Sequence, residues 1–337
     1  MISFEKGIKI EGVPFHLDAR TKVDFSFVSH AHFDHIAPHR KVLATPETLL
    51  FFRHRYKKVV ARALPLRRKQ TIGGVKVELF PSGHILGGAQ ILLEHRGKRI
   101  VYTGDFTLSP GWTSPPAEIP KSDIVIMEST YGLPRYQFPT REEVADLICR
   151  KTEETFAQGK TPIFLAYPLG KSQEAAKLLG ERGYAVFVHP TIFEICKIYA
   201  RCGVEFKNLD VLSNQSTARK AVIIPPYLWR SRMAAQLAPK KVFFLSGWGL
   251  DEGSRQSFKA DEVLPLSDHA DFAQLLAYLE EAQPEKVYTL HGFVEFAEIL
   301  RQRGFDAQSL EAPLETPSLK INADGVKFLP SLFNPKS

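Results

Sequence analysis

Short apolar runs alternate with polar positions through the first hundred residues and are punctuated by Gly and Pro. That rhythm predicts strands at Val23–Ser29, Val75–Phe80, Gln90–Glu94 and Arg99–Thr103, with a fully apolar strand at Ile124–Met127. From about Thr140 the period lengthens. Arg141–Ala157 reads as a helix, Thr161–Tyr167 as a strand, Ser172–Gly180 as a helix and Tyr184–Val188 as a strand. Further strands are expected at Ala221–Ile224 and Lys241–Leu245. Strand–helix alternation of this kind predicts a parallel α/β unit. A last strand at Lys286–Leu290 and a helix at Val294–Arg301 complete the pattern, so one domain is expected to interrupt another.

Several predicted strands end on residues able to bind a metal. Ser29-His30-Ala31-His32-Phe33-Asp34-His35 follows the first strand, and His84, Asp105 and His291 each follow a later one. Singly, each is an ordinary polar residue; together they complete two coordination shells. His30, His32 and His84 would hold one ion and Asp34, His35 and His291 a second, with Asp105 between them. Imidazole nitrogen and carboxylate oxygen suit Zn²⁺, with Mn²⁺ as the alternative ion. Two ions about 3.5–4 Å apart can lower the pKa of a water they share and neutralise charge on a phosphoryl oxygen. Asp18 is placed to orient a ligand histidine, although a turn-capping aspartate would look the same.

The ordered set of Asp18, the HAHFDH run, His84 and Asp105 resembles the metallo-β-lactamase superfamily. Glu128 in Glu128-Ser129-Thr130-Tyr131-Gly132, His269 in Ser267-Asp268-His269-Ala270-Asp271, and His291 are similar to the three additional motifs of its β-CASP nucleases. Segments 128–139 (ESTYGLPRYQFP), 167–174 (YPLGKSQE), 266–272 (LSDHADF) and 290–293 (LHGF) look most like the bacterial ligase-associated DNA exonucleases.

The resemblance implies an αββα sandwich formed by 1–132 and 266–337, with an α/β β-CASP domain at 133–265 inserted into it. It implies a two-zinc phosphodiesterase that removes nucleotides 3′→5′ from DNA in repair, in functional association with an ATP-dependent ligase and a helicase. Asp34, Glu128 and His269 would be catalytic, with His269 as the general acid and Glu128 as its partner. A simple hydrogen-bonding role for His269 stays open at this point. RNA processing by the same site is the nearest rival, because the metal ligands do not distinguish the sugar. A small-substrate hydrolase fits the large insertion poorly, and a non-catalytic binding module would be expected to lack ligands.

Charge adds a weaker signal. The 337 residues carry a net +7, which suits a polyanionic partner. Residues 51–70 contain eight Lys or Arg and no acid, so Arg67, Arg68 and Lys69 are candidate contacts to substrate phosphates; a solvated face is the alternative. Lys171, at the start of a predicted helix, is a further phosphate candidate, or else part of an ordinary turn. Tyr131, Tyr136 and Phe138 could stack on bases of a single strand or be buried between the domains. Cys149, Cys196 and Cys202 form no C-x-x-C or disulfide pattern, which points to the cytoplasm and away from thiolate ligation. No apolar run is long enough for a bilayer, and no signal peptide is evident.

Overall fold

The alternating segments pair into sheets whose apolar faces meet. The computed structural model describes residues 1–213, 218–237, 239–251, 260–311, 320–321 and 327–328. Residues 312–319, 322–326 and 329–337 of the predicted sandwich lie outside them, as do 214–217, 238 and 252–259 of the predicted insert.

The first sheet contains β1 (Ile2–Phe4), β2 (Ile8–Ile10), β3 (His16–Leu17), β4 (Phe25–Phe27), β5 (Lys41–Ala44) and β6 (Val60–Ala63), in that order. The second draws on β7 (Gln70–Ile72), β8 (Val75–Pro81), β9 (Ala89–His95), β10 (Lys98–Tyr102) and β11 (Ile124–Glu128), and on β18 (Lys286–Leu290) and β19 (Ala307–Ser309) from far along the chain. Its order is β19-β18-β11-β10-β9-β8-β7. Along β8, Val75, Val77 and Leu79 are buried while Lys76 is exposed, the two-residue period of a strand with one face in a core. Those residues meet Leu17, Phe27 and Leu43 of the first sheet. Each fully buried aliphatic side chain contributes roughly 1.5–3 kcal/mol.

Helices close both outer faces. Thr45 caps α1 (Pro46–Arg55), whose Leu49 and Phe52 cover Val28, Val42 and Ala44. On the far side α6 (Phe272–Ala282) and α7 (Glu295–Gln302) cover Val125, Met127 and Val287. The layers therefore run helix, sheet, sheet, helix: the αββα sandwich.

Between β11 and β18, which are parallel neighbours, the chain builds a third sheet. It comprises β12 (Thr161–Leu165), β13 (Ala185–Val188), β14 (Leu209–Val211), β15 (Lys220–Ile224), β16 (Lys240–Leu245) and β17 (Glu262–Leu264), ordered β14-β13-β15-β12-β16-β17 and parallel throughout. One face packs against α2 (Arg141–Ala157), α3 (Lys171–Glu181) and α4 (Pro190–Arg201), and the other against α5 (Arg232–Gln236). A reciprocal capping box between Thr140 and Glu143 starts α2 where the sequence predicts it. Outside this segment the short pair β20 (Lys320–Ile321) and β21 (Lys327–Phe328) forms a separate ribbon.

The first predicted strand is shorter than expected, Phe25–Phe27 rather than Val23–Ser29. Ser29 gives its backbone N–H to the Asp18 carboxylate instead of to a neighbouring strand. That departure begins the site.

Candidate metal centre

The ends of β3, β4, β8, β10, β11 and β18 converge, each followed or closed by a residue singled out in the sequence. Asp18 follows β3 with φ of +43°, a left-handed conformation that non-glycine residues seldom adopt. Buried there, its carboxylate accepts from Ser29 N at 2.7 Å, His35 Nδ1 at 2.8 Å and Tyr102 Oη at 2.8 Å, and also from Ser29 Oγ. His291, after β18, also has positive φ, +55°. The turn is so tight that a Cβ at Gly292 would lie 1.8 Å from the Ser129 carbonyl oxygen, so only glycine can follow.

The outer nitrogens of four imidazoles are engaged. His84 Nδ1 donates to the Asp268 carbonyl at 2.8 Å and His32 Nε2 to the Leu169 carbonyl at 3.1 Å. His35 Nδ1 donates to Asp18, and His30 Nδ1 lies 2.9 Å from Ser29 Oγ, whose own proton goes to Asp18. A carbonyl only accepts, so in the neutral rings the lone pairs of His84 Nε2 and His32 Nδ1 face one another, 2.9 Å apart. Two lone pairs at that distance repel unless a cation or a proton lies between them. Burial, the largest influence, lowers the pKa of His30, His32 and His84, that of His84 to about 3, so a proton is disfavoured there.

Asp105 joins the two halves. Its Oδ2 is 3.5 Å from His30 Nε2, 3.7 Å from His84 Nε2 and 3.3 Å from His35 Nε2, while Oδ1 is 4.0 Å from His291 Nδ1. Potential ligand atoms of His30, His32, His84 and Asp105 lie within 4.8 Å of one another, and so do those of His35, Asp105 and His291. Asp34 Oδ2 stands at the edge, 3.8 Å from His35 Nε2. His30 Nε2 and His291 Nε2 are buried without a hydrogen-bond partner. Orphaned nitrogens, opposed lone pairs and a shared carboxylate together fit a dinuclear metal site. Burial would raise the Asp105 pKa, but His35 and His269 hold it well below the usual carboxylate range.

Beside this cluster, Glu128 accepts from Phe106 N at 2.9 Å, Thr130 Oγ1 at 2.5 Å and His269 Nδ1 at 2.9 Å. Burial would lower the His269 pKa; Glu128, then Asp105, overcome that and raise it to about 9. The His269 ring centroid is 4.6 Å from that of His84. Lys171 is ion-paired to the buried carboxylate of Asp268, whose carbonyl serves His84. The turn carrying Lys171 closes over the cluster. Gly170 has φ of +91°, and a Cβ there would sit 2.8 Å from Ile85 and 3.4 Å from His32 Nε2.

Other sequence expectations fare differently. Arg67 is ion-paired to Glu118, and Lys69 lies 3.6 Å from Glu78 and 4.0 Å from Glu94. No bond ties Arg67, Arg68 or Lys69 to the histidine cluster among the described residues. Tyr131 and Tyr136 are buried, and their rings pack against Phe138, Trp248 and Phe293. Of the two roles open to these rings, stacking on bases or burial, the structure shows burial. Sequence reasoning missed Ser29, Tyr102, Thr130 and the carbonyl of Asp268, all of which act through another residue; only the adjacency of Ser29 and Asp268 to motif histidines could have signalled them.

No family model matches the chain. A probable DNA ligase of Opitutus terrae is 36% identical over 313 residues, covering 92% of this chain and 31% of that protein. The chain thus spans about a third of that relative's length. An RNase J-like protein of Methanocaldococcus jannaschii is 32% identical, with 80% of this chain and 82% of the relative covered. In structure, a protein of unknown function from Enterococcus faecalis V583 superposes with a TM-score of 0.59 at 14% identity, over 80% of this chain and 75% of the other.

Proposed function

This chain belongs to the β-CASP nucleases of the metallo-β-lactamase superfamily, and from that premise we propose that it is a DNA exonuclease working 3′→5′ in repair. It is a metal-dependent hydrolase of nucleic acid. The observation that carries the reading of the site is the opposed lone pairs of His32 and His84 above the shared carboxylate of Asp105. For DNA in particular, the support is the 36% identity spread over 92% of the chain to a protein described as a probable DNA ligase. RNA is the second reading, favoured by the RNase J-like relative.

We assign His30, His32, His84 and Asp105 to one Zn²⁺ and Asp34, His35, His291 and Asp105 to the other, with Mn²⁺ as the alternative. Such a pair, when bound, would supply Lewis acidity at a phosphoryl oxygen and lower the pKa of a nearby water. The protein's own groups do the rest. Glu128, fixed by Phe106 N and Thr130, holds the Nδ1 proton of His269. His269 is then charged at neutral pH, and its Nε2 proton is available to the leaving oxygen, a general-acid role. Lys171 keeps Asp268 charged beneath His84 and shares its ammonium with a substrate phosphate. Arg67, Arg68 and Lys69 are assigned to the outer phosphate backbone, where Arg67 and Lys69 would exchange carboxylate partners for phosphates.

Residues 133–265 would act as the inserted β-CASP unit and 1–132 with 266–337 as the sandwich. The three cysteines are free, in keeping with a cytoplasmic setting, and no described helix is long and apolar enough to cross a membrane. An ATP-dependent ligase and a helicase would be functional partners. The test is turnover of single-stranded DNA and RNA labelled at either end. Release of mononucleotides from the 3′ end of DNA supports the proposal, and preference for RNA replaces it with the second reading.

A further inference from the structure

His30 and His32 join the cluster, and Ala31 and Phe33 are the residues that follow each of them in the loop. Ala31 is covered by Phe51, Ile198 and Tyr199, whereas Phe33 is 54% exposed. A single exposed apolar residue is ordinary; this one lies between His32 and Asp34, two candidate ligands. The guanidinium of Arg55, on α1, sits 4.4 Å from the Phe33 ring centroid and 5.7 Å from that of Tyr56. Among the described residues no carboxylate pairs with Arg55. Tyr167, 36% exposed, adds an aromatic ring from the inserted segment. Two residues on, the Leu169 carbonyl accepts from His32 Nε2 at 3.1 Å, so Tyr167 belongs to the segment that meets the metal loop.

We propose that Phe33 is a base-stacking platform beside the metal cluster and that Arg55 clamps the adjoining phosphate of the same strand. The proposal rests on the nucleic-acid reading above and deepens it by naming two residues that hold the strand. Within a duplex both faces of a base are covered by its neighbours, so a base can lie on Phe33 only when splayed out. Stacking on a phenyl ring is tolerant of sequence, because every base has a π-face. The guanidinium keeps its charge while resting on the ring. Arg55 is thus a member of the 51–70 basic run that touches the metal loop, and Phe33 takes the stacking role that Tyr131 and Tyr136, being buried, leave open.

The test uses the metal-loaded full chain and oligonucleotides carrying an abasic residue at each of the three terminal positions. Wild type should show a KM about ten-fold higher when the abasic residue occupies the stacked position. Phe33→Leu should raise the KM for the intact strand by a similar factor and lose the discrimination, with its metal content checked by elemental analysis. Phe33→Trp should keep the discrimination, and the introduced indole should be quenched by a phosphorothioate-linked single strand but not by a blunt duplex. A Phe33→Leu enzyme that still distinguishes abasic from intact strands overturns the proposal, as does an indole quenched equally by both forms. A wild-type chain that cuts no oligonucleotide overturns the nuclease reading itself.

Discussion

Replacing Asp18 by Asn changes the shape of that side chain little and its hydrogen bonding a great deal. Ser29 Oγ, His35 Nδ1 and Tyr102 Oη all donate to Oδ2, and Ser29 N donates to Oδ1. An amide has one acceptor oxygen. With that oxygen in the Oδ2 position, the NH₂ faces the Ser29 N–H, donor against donor; the opposite flip leaves three donors unmet. Hydrogen bonds to a charged group contribute about 1.5–3 kcal/mol each. The better flip loses one of them outright and weakens three, roughly 2–4 kcal/mol in a buried site. Part of that loss would fall on the proposed ligands, since Asp18 bonds His35 directly and His30 through Ser29. Outer partners of ligand histidines typically account for about 10–100-fold in metal affinity, or about 1.4–2.7 kcal/mol, which overlaps that range. The assay is competition with a calibrated chelator, followed by elemental analysis. Asp18→Asn should lose affinity by at least ten-fold, and Tyr102→Phe, which removes a single donor, by less. If Asp18→Asn holds both ions within two-fold of wild type, the orienting role is refuted.

Three other outcomes follow from the geometry. Asp105→Asn should empty both metal positions, read as ions per chain after desalting; retention of one full ion would contradict a shared carboxylate. Because Glu128 raises the His269 pKa to about 9, its proton is present below that pH and lost above it; the stability of the pair is likewise complete below the unfolded value of about 6.5 and lost as pH rises through the folded one. Glu128→Gln should move the alkaline limb of kcat/KM towards neutrality, and an unmoved limb would exclude His269 as the acid. Lys171→Met strands the Asp268 carboxylate, 1% exposed, without its cation. Chemical denaturation should show a loss of roughly 3–5 kcal/mol, largely recovered in Lys171→Met/Asp268→Asn, whereas a single variant as stable as wild type would remove the ion pair from the account.

The convergence of the histidines and Asp105 was legible in the sequence, because coordination restricts residue type and strand ends restrict position. His30, His32, His84, Asp105 and His291 each stand just past a predicted strand. The bounds of α2 were legible in the change of period after Thr140, and the parallel sheet in the strand–helix alternation that follows. What stayed hidden depends on partners distant along the chain. The carbonyl of Asp268 serves His84 across 184 positions, and any residue has a carbonyl. Arg67 meets Glu118 across 51 positions, so its freedom to bind phosphate could not be judged from a local run of cations. Tyr131 and Tyr136 read equally well as stacking rings or as core. Phe33 carried no signal until its exposure and its contact with Arg55 were known.

Cleavage of end-labelled single-stranded DNA and RNA by the metal-reconstituted chain, beside the same chain stripped of metal and beside Asp105→Asn, tests the central claim most directly. The account predicts that the reconstituted wild type shortens DNA stepwise from its 3′ end and that stripped protein and Asp105→Asn release nothing. A chain that binds two ions yet cuts neither polymer, or an Asp105→Asn chain that cuts at the wild-type rate, would contradict it.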